Sequence, residues 1–374
     1  MWNFMKGVSR PSSRRLIDNM HERWIDIGKS FAIFAVLTDH LCGTLYTRSS
    51  IRYSSLFSVS LFILLMGVTT YWTFDKKNET IWNKVKKKII KILIPYTGAV
   101  FVYIWVTTKG FDLMSFFYHW IHFNVTGPHY YVFLYCQLIL ISPLFFVFLK
   151  NVDRNLNLNS AVKTSFIICG GGVVILFISS VFTNRTAMAD IYGGGGKLAG
   201  GTYIICLYVG MIFGKYYNKI IAWLNKYKYI ICVGFIFSLA ITILSWRLLC
   251  VKGFIFDSYG ILGEGINPPG WHLLVYSVSV MMTIFFGEKL FGSFWIIEWI
   301  MKGFEFIGRH TLYIFLYHML FLGLLGSIII HINISNKIME AIFYYFPMIG
   351  GSLIIEVVCK KARNYITNSY KYSG

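Results

Sequence analysis

The sequence predicts an all-α polytopic membrane protein of about ten transmembrane helices with both termini cytoplasmic. Three observations carry that expectation. Apolar runs of about 17–22 residues, the length needed to cross a bilayer, recur along the whole 374-residue chain. Only 14% of residues are charged, against roughly a quarter in soluble proteins. Lys and Arg also collect in alternate connections between the runs. A transmembrane β-barrel would instead show alternating segments of about ten residues, and none is visible.

The spans fall near 26–46, 54–74, 92–108, 129–149, 164–182, 200–214, 229–249, 272–288, 311–330 and 339–359. With the amino terminus inside, segments 1–29, 74–91, 150–163, 215–228, 289–309 and 360–374 face the cytoplasm. They hold 27 of the 35 Lys and Arg, a strong positive-inside bias. The stretch 290–309 carries Glu298, Lys302, Glu305 and Arg309 among spaced Phe and Trp, the pattern of an interfacial amphipathic helix. Residues 1–23 form a basic cytoplasmic segment without a signal-peptide core, so the first span is expected to direct insertion. Residues 24–359 make one membrane domain, and 360–374 a cytoplasmic tail. The longest outer connections, near 109–128, 183–199 and 250–271, are too short to fold alone. GGGGK at 193–197 lacks the preceding strand and the following Ser or Thr of a phosphate loop, and reads as a loop.

A net charge of +19 invites a nucleic-acid reading, but its distribution is that of a topology signal, so no nucleic-acid partner is expected. The seven cysteines have no metal-ligand spacing, and most fall in apolar runs as small buried hydrophobes. No metal and no bound cofactor are expected.

Ionisable groups inside spans are costly, and each is a functional candidate. The first span has the densest set: Arg23, Asp26, Lys29, Asp39 and His40. At about 100° per residue, Lys29 and His40 lie roughly 20° apart in azimuth and about 16 Å apart along the axis. Asp26 joins that stripe, whereas Asp39 points about 100° away and cannot orient His40 directly in a regular helix. Asp26 and Lys29 can pair at i,i+3. Two readings fit: interface anchors with a capping His, or a site in which an imidazole takes a proton near neutral pH.

A second group lies in KVKKKIIKILIPY (84–96), where Lys87, Lys88 and Lys91 are either topology signal or a cradle for a phosphorylated ligand. The third, GPHYYVFLYCQLILISP (127–143), opens a span with His129 and Tyr130, which suit an aromatic belt or the mouth of a sugar site. Trp120 precedes it. His318, in LYIFLYHMLFL, lies deep in a late span, as a packing residue or a catalytic one.

Together and in this order, these groups resemble membrane-bound acyltransferase family 3, especially its fucose 4-O-acetylase-like branch. RWIDIGKSFAIFAVLTDH (23–40) is similar to the first-helix motif, and KKKIIKILIPY to the basic start of the third helix. HYYVFLYCQLILISP is similar to the aromatic start of the fourth, and IGRHTLYIFLYHMLF to a late segment ending in His. The resemblance implies an O-acyltransferase of the bacterial inner membrane. Such an enzyme takes an acyl group, usually acetyl, from cytoplasmic acyl-coenzyme A as co-substrate and places it on a hydroxyl of an envelope or exported glycan. Its partners would be acyl-CoA, a polysaccharide or lipid-linked glycan, and membrane lipid. By this resemblance His40 and Lys29 are catalytic and Lys88 and Lys91 bind the donor; Asp26, on the same stripe, joins the catalytic set, and Lys87, in the same run, the donor-binding set. Trp120, His129, Tyr130 and His318 are acceptor-side candidates. Lys88 and Lys91 stand where the family has two Arg, and Asp39 stands where Gly is common. Succinyl transfer and a flippase for a lipid-linked glycan are the alternatives.

Overall fold

The structure is a computed structural model that describes residues 22–108, 110–155, 167, 170–171, 202–252, 271–329 and 336–372. Residues 1–21, most of the expected fifth span at 164–182 and the Gly-rich 193–197 lie outside the described residues. Among the described residues, seven helical segments are long and apolar enough to cross a bilayer: Ser49–Asp75, Ile81–Thr108, Gly127–Asn151, Tyr203–Lys226, Tyr229–Val251, His272–Phe291 and Lys337–Ala362. The protein is therefore a multi-pass, all-helical membrane protein.

The helices are α1 (Arg23–Leu41), α2 (Ser49–Ser55), α3 (Ser58–Asp75), α4 (Ile81–Thr108), α5 (Leu113–His122) and α6 (Tyr130–Asn155). After them come α7 (Thr202–Lys226), α8 (Tyr229–Lys252), α9 (Trp271–Phe291), α10 (Trp295–Arg309), α11 (Thr311–Ile329) and α12 (Lys337–Tyr372). Seven expected spans coincide with apolar helices, and α11 is a shorter apolar one. Several boundaries differ from expectation: α7 runs on to Lys226 beyond 214, α12 runs on to Tyr372 beyond 359, and two others bear on the site. The first helix ends at Leu41 rather than near 46, because Gly43 takes φ +98° and the chain turns there. Tyr46 N–H closes the turn by donating to the Leu41 carbonyl at 3.1 Å. The third begins at Ile81, so the lysine run is itself helical.

Helix α1 is central: it packs against α2, α3, α9, α10 and α11. Its first turn is anchored by buried Trp24, whose ring meets Phe213 of α7 edge-on at 5.7 Å and Phe285 of α9 at 5.3 Å. The most extensive helix pairing is α3 with α7. It rests on Gly67 against Gly210 and on Gly214 against Val68, the glycines at 210 and 214 being spaced as GxxxG. A Cβ on Gly67 would overlap the Leu207 carbonyl, and one on Gly210 the Leu64 carbonyl. Only glycine lets these backbones approach, which in a membrane supplies the packing that hydrophobicity cannot. Helix α10 is amphipathic as expected. Trp295, Ile296 and Trp299 are exposed, while Phe304 stacks on Phe31 of α1 at 5.0 Å.

Gly210→Leu should therefore separate α3 from α7 and cost at least the roughly 1–3 kcal/mol of an overpacked core. Size-exclusion profiles in detergent should show loss of the monodisperse species. Gly303→Leu, at a position with open space, should leave the profile unchanged.

Candidate functional site

Two cavities flank α1, one near each end of its polar stripe. The first, of about 390 Å³, is lined by Lys29, Lys88, Lys91 and Arg309, together with Thr69 and Thr311. Two of these cations pair with Asp26, which is 1% exposed and does not itself line the cavity. Lys29 Nζ donates to Asp26 Oδ1 at 2.9 Å, and Arg309 Nε lies 3.4 Å from Oδ2. Arg309 reaches that far inward because its neighbour Gly308 sits directly on the α1 backbone. A Cβ there would overlap the Asp26 carbonyl oxygen. Lys88 Nζ donates to Thr70 Oγ1 at 2.8 Å. Four cations line one cavity, and the buried Asp26 carboxylate pairs with two of them, an arrangement whose net positive charge attracts an anion.

The lysine run divides by helical phase. Lys84, Lys88 and Lys91, at i, i+4 and i+7, share one face. Lys84 is consumed structurally, because its ammonium donates to the carbonyls of Phe74 and Lys76 at the end of α3. Lys87 does not line the cavity: it turns to the surface and pairs with Glu79 at 2.5 Å. Arg309 is the cationic residue that sequence reasoning missed. It stands at the end of the amphipathic helix, with only His310 between it and the start of α11, and that junction was its available signal.

The second cavity, of about 240 Å³, is lined by His40, Asp39, Ser58, Ser60, Tyr130 and Tyr203, among others. Asp39 does not face away from this space, contrary to the simple helical projection. The cavity wraps around the last turn of α1 and admits both neighbours. Arg52 of α2 approaches the Asp39 carboxylate, with Nε 3.5 Å from Oδ1.

His318 lies beside His40, with ring centroids 5.2 Å apart, and is fully buried. Its Nδ1 is 2.7 Å from the Phe315 carbonyl and 3.2 Å from that of Ile314. A carbonyl only accepts, so Nδ1 carries the hydrogen and Nε2 keeps its lone pair. Among the described residues Nε2 has no hydrogen-bond partner.

Of the other acceptor-side candidates, only Tyr130 lines the His40 cavity. His129 Nε2 donates to the Leu316 carbonyl at 3.1 Å and Nδ1 accepts from Thr126 Oγ1 at 3.0 Å, which pins the start of α6 to α11. Trp120 Nε1 donates to Thr97 Oγ1 at 2.9 Å and ties α5 to α4. Tyr131 and Phe315 line both cavities.

The family model described as an acyltransferase domain, that of membrane acyltransferase family 3, matches residues 22–357. The chain belongs to this family. Neither a curated protein nor a solved structure matches it. Every residue lining the two cavities falls within the acyltransferase domain, Arg309 and Asp39 included.

Breaking a buried ion pair by removing one partner costs about 3–5 kcal/mol. Lys29 and Arg309 are part-exposed, so Asp26→Asn should cost less than that full range, about 1–3 kcal/mol. Thermal unfolding in detergent should show a clear drop in Tm for Asp26→Asn. Lys302→Ala, which breaks the surface pair with Glu298, should barely change it.

Proposed function

We propose that this acyltransferase moves an acetyl group from cytoplasmic acetyl-coenzyme A to a hydroxyl of an envelope or exported glycan. One observation carries the reading. Lys29 and His40, eleven residues apart on one helix, open into two adjoining cavities, one cationic and one built around an imidazole. The phosphates of coenzyme A suit Lys29, Lys88, Lys91 and Arg309. The long uncharged arm of the donor then follows α1, about 16 Å from Lys29 to His40, and presents the thioester there.

At His40 the acceptor hydroxyl gives its proton to the imidazole and its oxygen attacks the thioester carbonyl carbon. The carbon–sulfur bond breaks, and the departing thiolate recovers the proton from the imidazolium. In the covalent variant, imidazole nitrogen first takes the acyl group and the hydroxyl then displaces it. Tyr130, Ser58 and Ser60 line the space that the acceptor would enter.

Ten spans with both termini in the cytoplasm, in a bacterial inner membrane, would put the cationic cavity on the coenzyme A side. The positive-inside distribution supports that orientation. A flippase would need ionisable groups spread through several central spans. Among the described residues the buried ionisable side chains are Asp26, Lys84, His129, His272, His318 and Glu356, and of these Asp26 and His318 touch the two α1 residues that the reading uses, Lys29 and His40.

His40→Ala should lower acyl transfer by at least about 10²–10⁴-fold while leaving coenzyme A binding intact. Transfer of a radiolabelled acetyl group by membranes, beside equilibrium binding, measures both, and transfer at the wild-type rate would refute the mechanism. Lys88→Ala and Arg309→Ala should each raise KM for acetyl-coenzyme A by about tenfold or more, the loss of one charge-assisted contact. Lys87→Ala should cost less than either, because its side chain turns away from the cavity.

A further inference from the structure

The cationic cavity and the His40 cavity share two lining side chains, Tyr131 from the start of α6 and Phe315 from α11. Their ring centroids are 5.1 Å apart, which is contact distance for a tilted aromatic pair. Tyr131 is 9% and Phe315 6% exposed. On the far side of the pair, the Phe315 ring lies 5.9 Å from that of His318, and His318 lies 5.2 Å from His40. Behind Tyr131 come Phe62 at 6.0 Å and Tyr135 at 6.4 Å.

The size and polarity of this shared lining bear on what can pass it. The cavity around His40 is about 240 Å³, below the roughly 300–1,000 Å³ of a site for a drug-sized ligand. It must hold the acyl carbon and the reacting hydroxyl together. A long acyl chain would compete with the acceptor for that volume. A carboxylate at the end of the acyl group would have to shed water between two ring faces, whose quadrupoles repel negative charge.

We propose that Tyr131 and Phe315 form an aromatic gate between donor and acceptor cavities, which selects short, uncharged acyl groups over longer or anionic ones. This rests on the acyl-transfer reading above and names the donor class for it. The rings are in contact in this structure, so the thioester passes by rotation of a side chain, and the gate closes the acceptor cavity when no donor arm occupies it. The gate acts on the acyl end alone, while the phosphates are held by the cations on the other side.

The test uses the full-length protein in membranes from the producing cells, which supply the acceptor. Radiolabelled acetyl-, propionyl-, butyryl- and succinyl-coenzyme A serve as donor probes. Labelled ester in the glycan fraction is the readout, with equilibrium binding of unacylated coenzyme A measured in parallel. Wild type should prefer acetyl over butyryl by about tenfold or more, as a tight apolar site discriminates added methylenes. Phe315→Ala and Tyr131→Leu should each reduce that preference by about tenfold, with coenzyme A binding unchanged. Phe346→Ala, at a lipid-exposed position of α12, should keep the wild-type ranking. If the alanine variant misfolds, Phe315→Leu carries the same expectation with a smaller shift. The gate is overturned if folded variants keep the wild-type ranking, or if wild type uses butyryl or succinyl donors as readily as acetyl. In both cases acyl transfer itself stands. Transfer from none of the four donors by wild type would overturn the acyl-transfer reading and the gate with it.

Discussion

The buried carboxylate of Asp26 is the constraint on which both cavities depend. An ionised group inside an apolar bundle must be matched by opposite charge, and here two cations answer it, Lys29 from the same helix and Arg309 from α10. Gly308 lets α10 come close enough for the second. The end of α10 is thereby fixed on α1, and α11 starts immediately afterwards at Thr311. Positions 311, 315 and 318 then follow one face of α11 at i, i+4 and i+7. Thr311 borders the cationic cavity, Phe315 borders both, and His318 stands beside His40. One ion-paired knot at the base of α1 thus sets the wall along the path that the acyl group is proposed to take.

The opposite wall is α3. Its early residues Ser58, Val59 and Ser60 line the His40 cavity, and Phe62, Leu65, Met66 and Thr69 line the cationic one. What holds α3 in register is the glycine contact with α7 through Gly67 and Gly210. Helix packing through small residues keeps that interface rigid without polar groups, so the polar residues of α3 remain available to the cavities. The two walls use different physics: charge pairing on the α10–α11 side and close backbone packing on the α3–α7 side.

Much of the bundle was legible in the sequence because apolar runs of spanning length admit few other structures. The stripe of Asp26, Lys29 and His40 could also be read, since helical phase alone puts these residues on one side of α1. Arg309 could not be placed, because its contact to Asp26 spans nearly the whole chain and depends on Gly308. That Lys87 does not line the cavity could not be read either, for a local reason. A run of lysines carries no phase label, and only the helix start at Ile81 decides that Lys88 and Lys91 face inward while Lys87 pairs with Glu79. His129 and Trp120 looked like mouth residues because they border a span, yet their ring nitrogens are committed to hydrogen bonds that join helices. On a regular helix Asp39 projects about 100° away from the His40 stripe. Its cavity forms around the helix end, where Gly43 turns the chain and α2 brings in Arg52.

The central claim is that one donor molecule occupies both cavities at once, phosphates among the cations and thioester at His40. A structure of the protein in lipid nanodiscs with a non-hydrolysable acetyl-coenzyme A analogue tests this most directly. Phosphate density is expected against Lys29, Lys88, Lys91 and Arg309, with an arm running between Tyr131 and Phe315 and the acyl carbon within reach of the His40 ring. Coenzyme A bound away from these lysines, or an arm that leaves the His40 cavity empty, would contradict it.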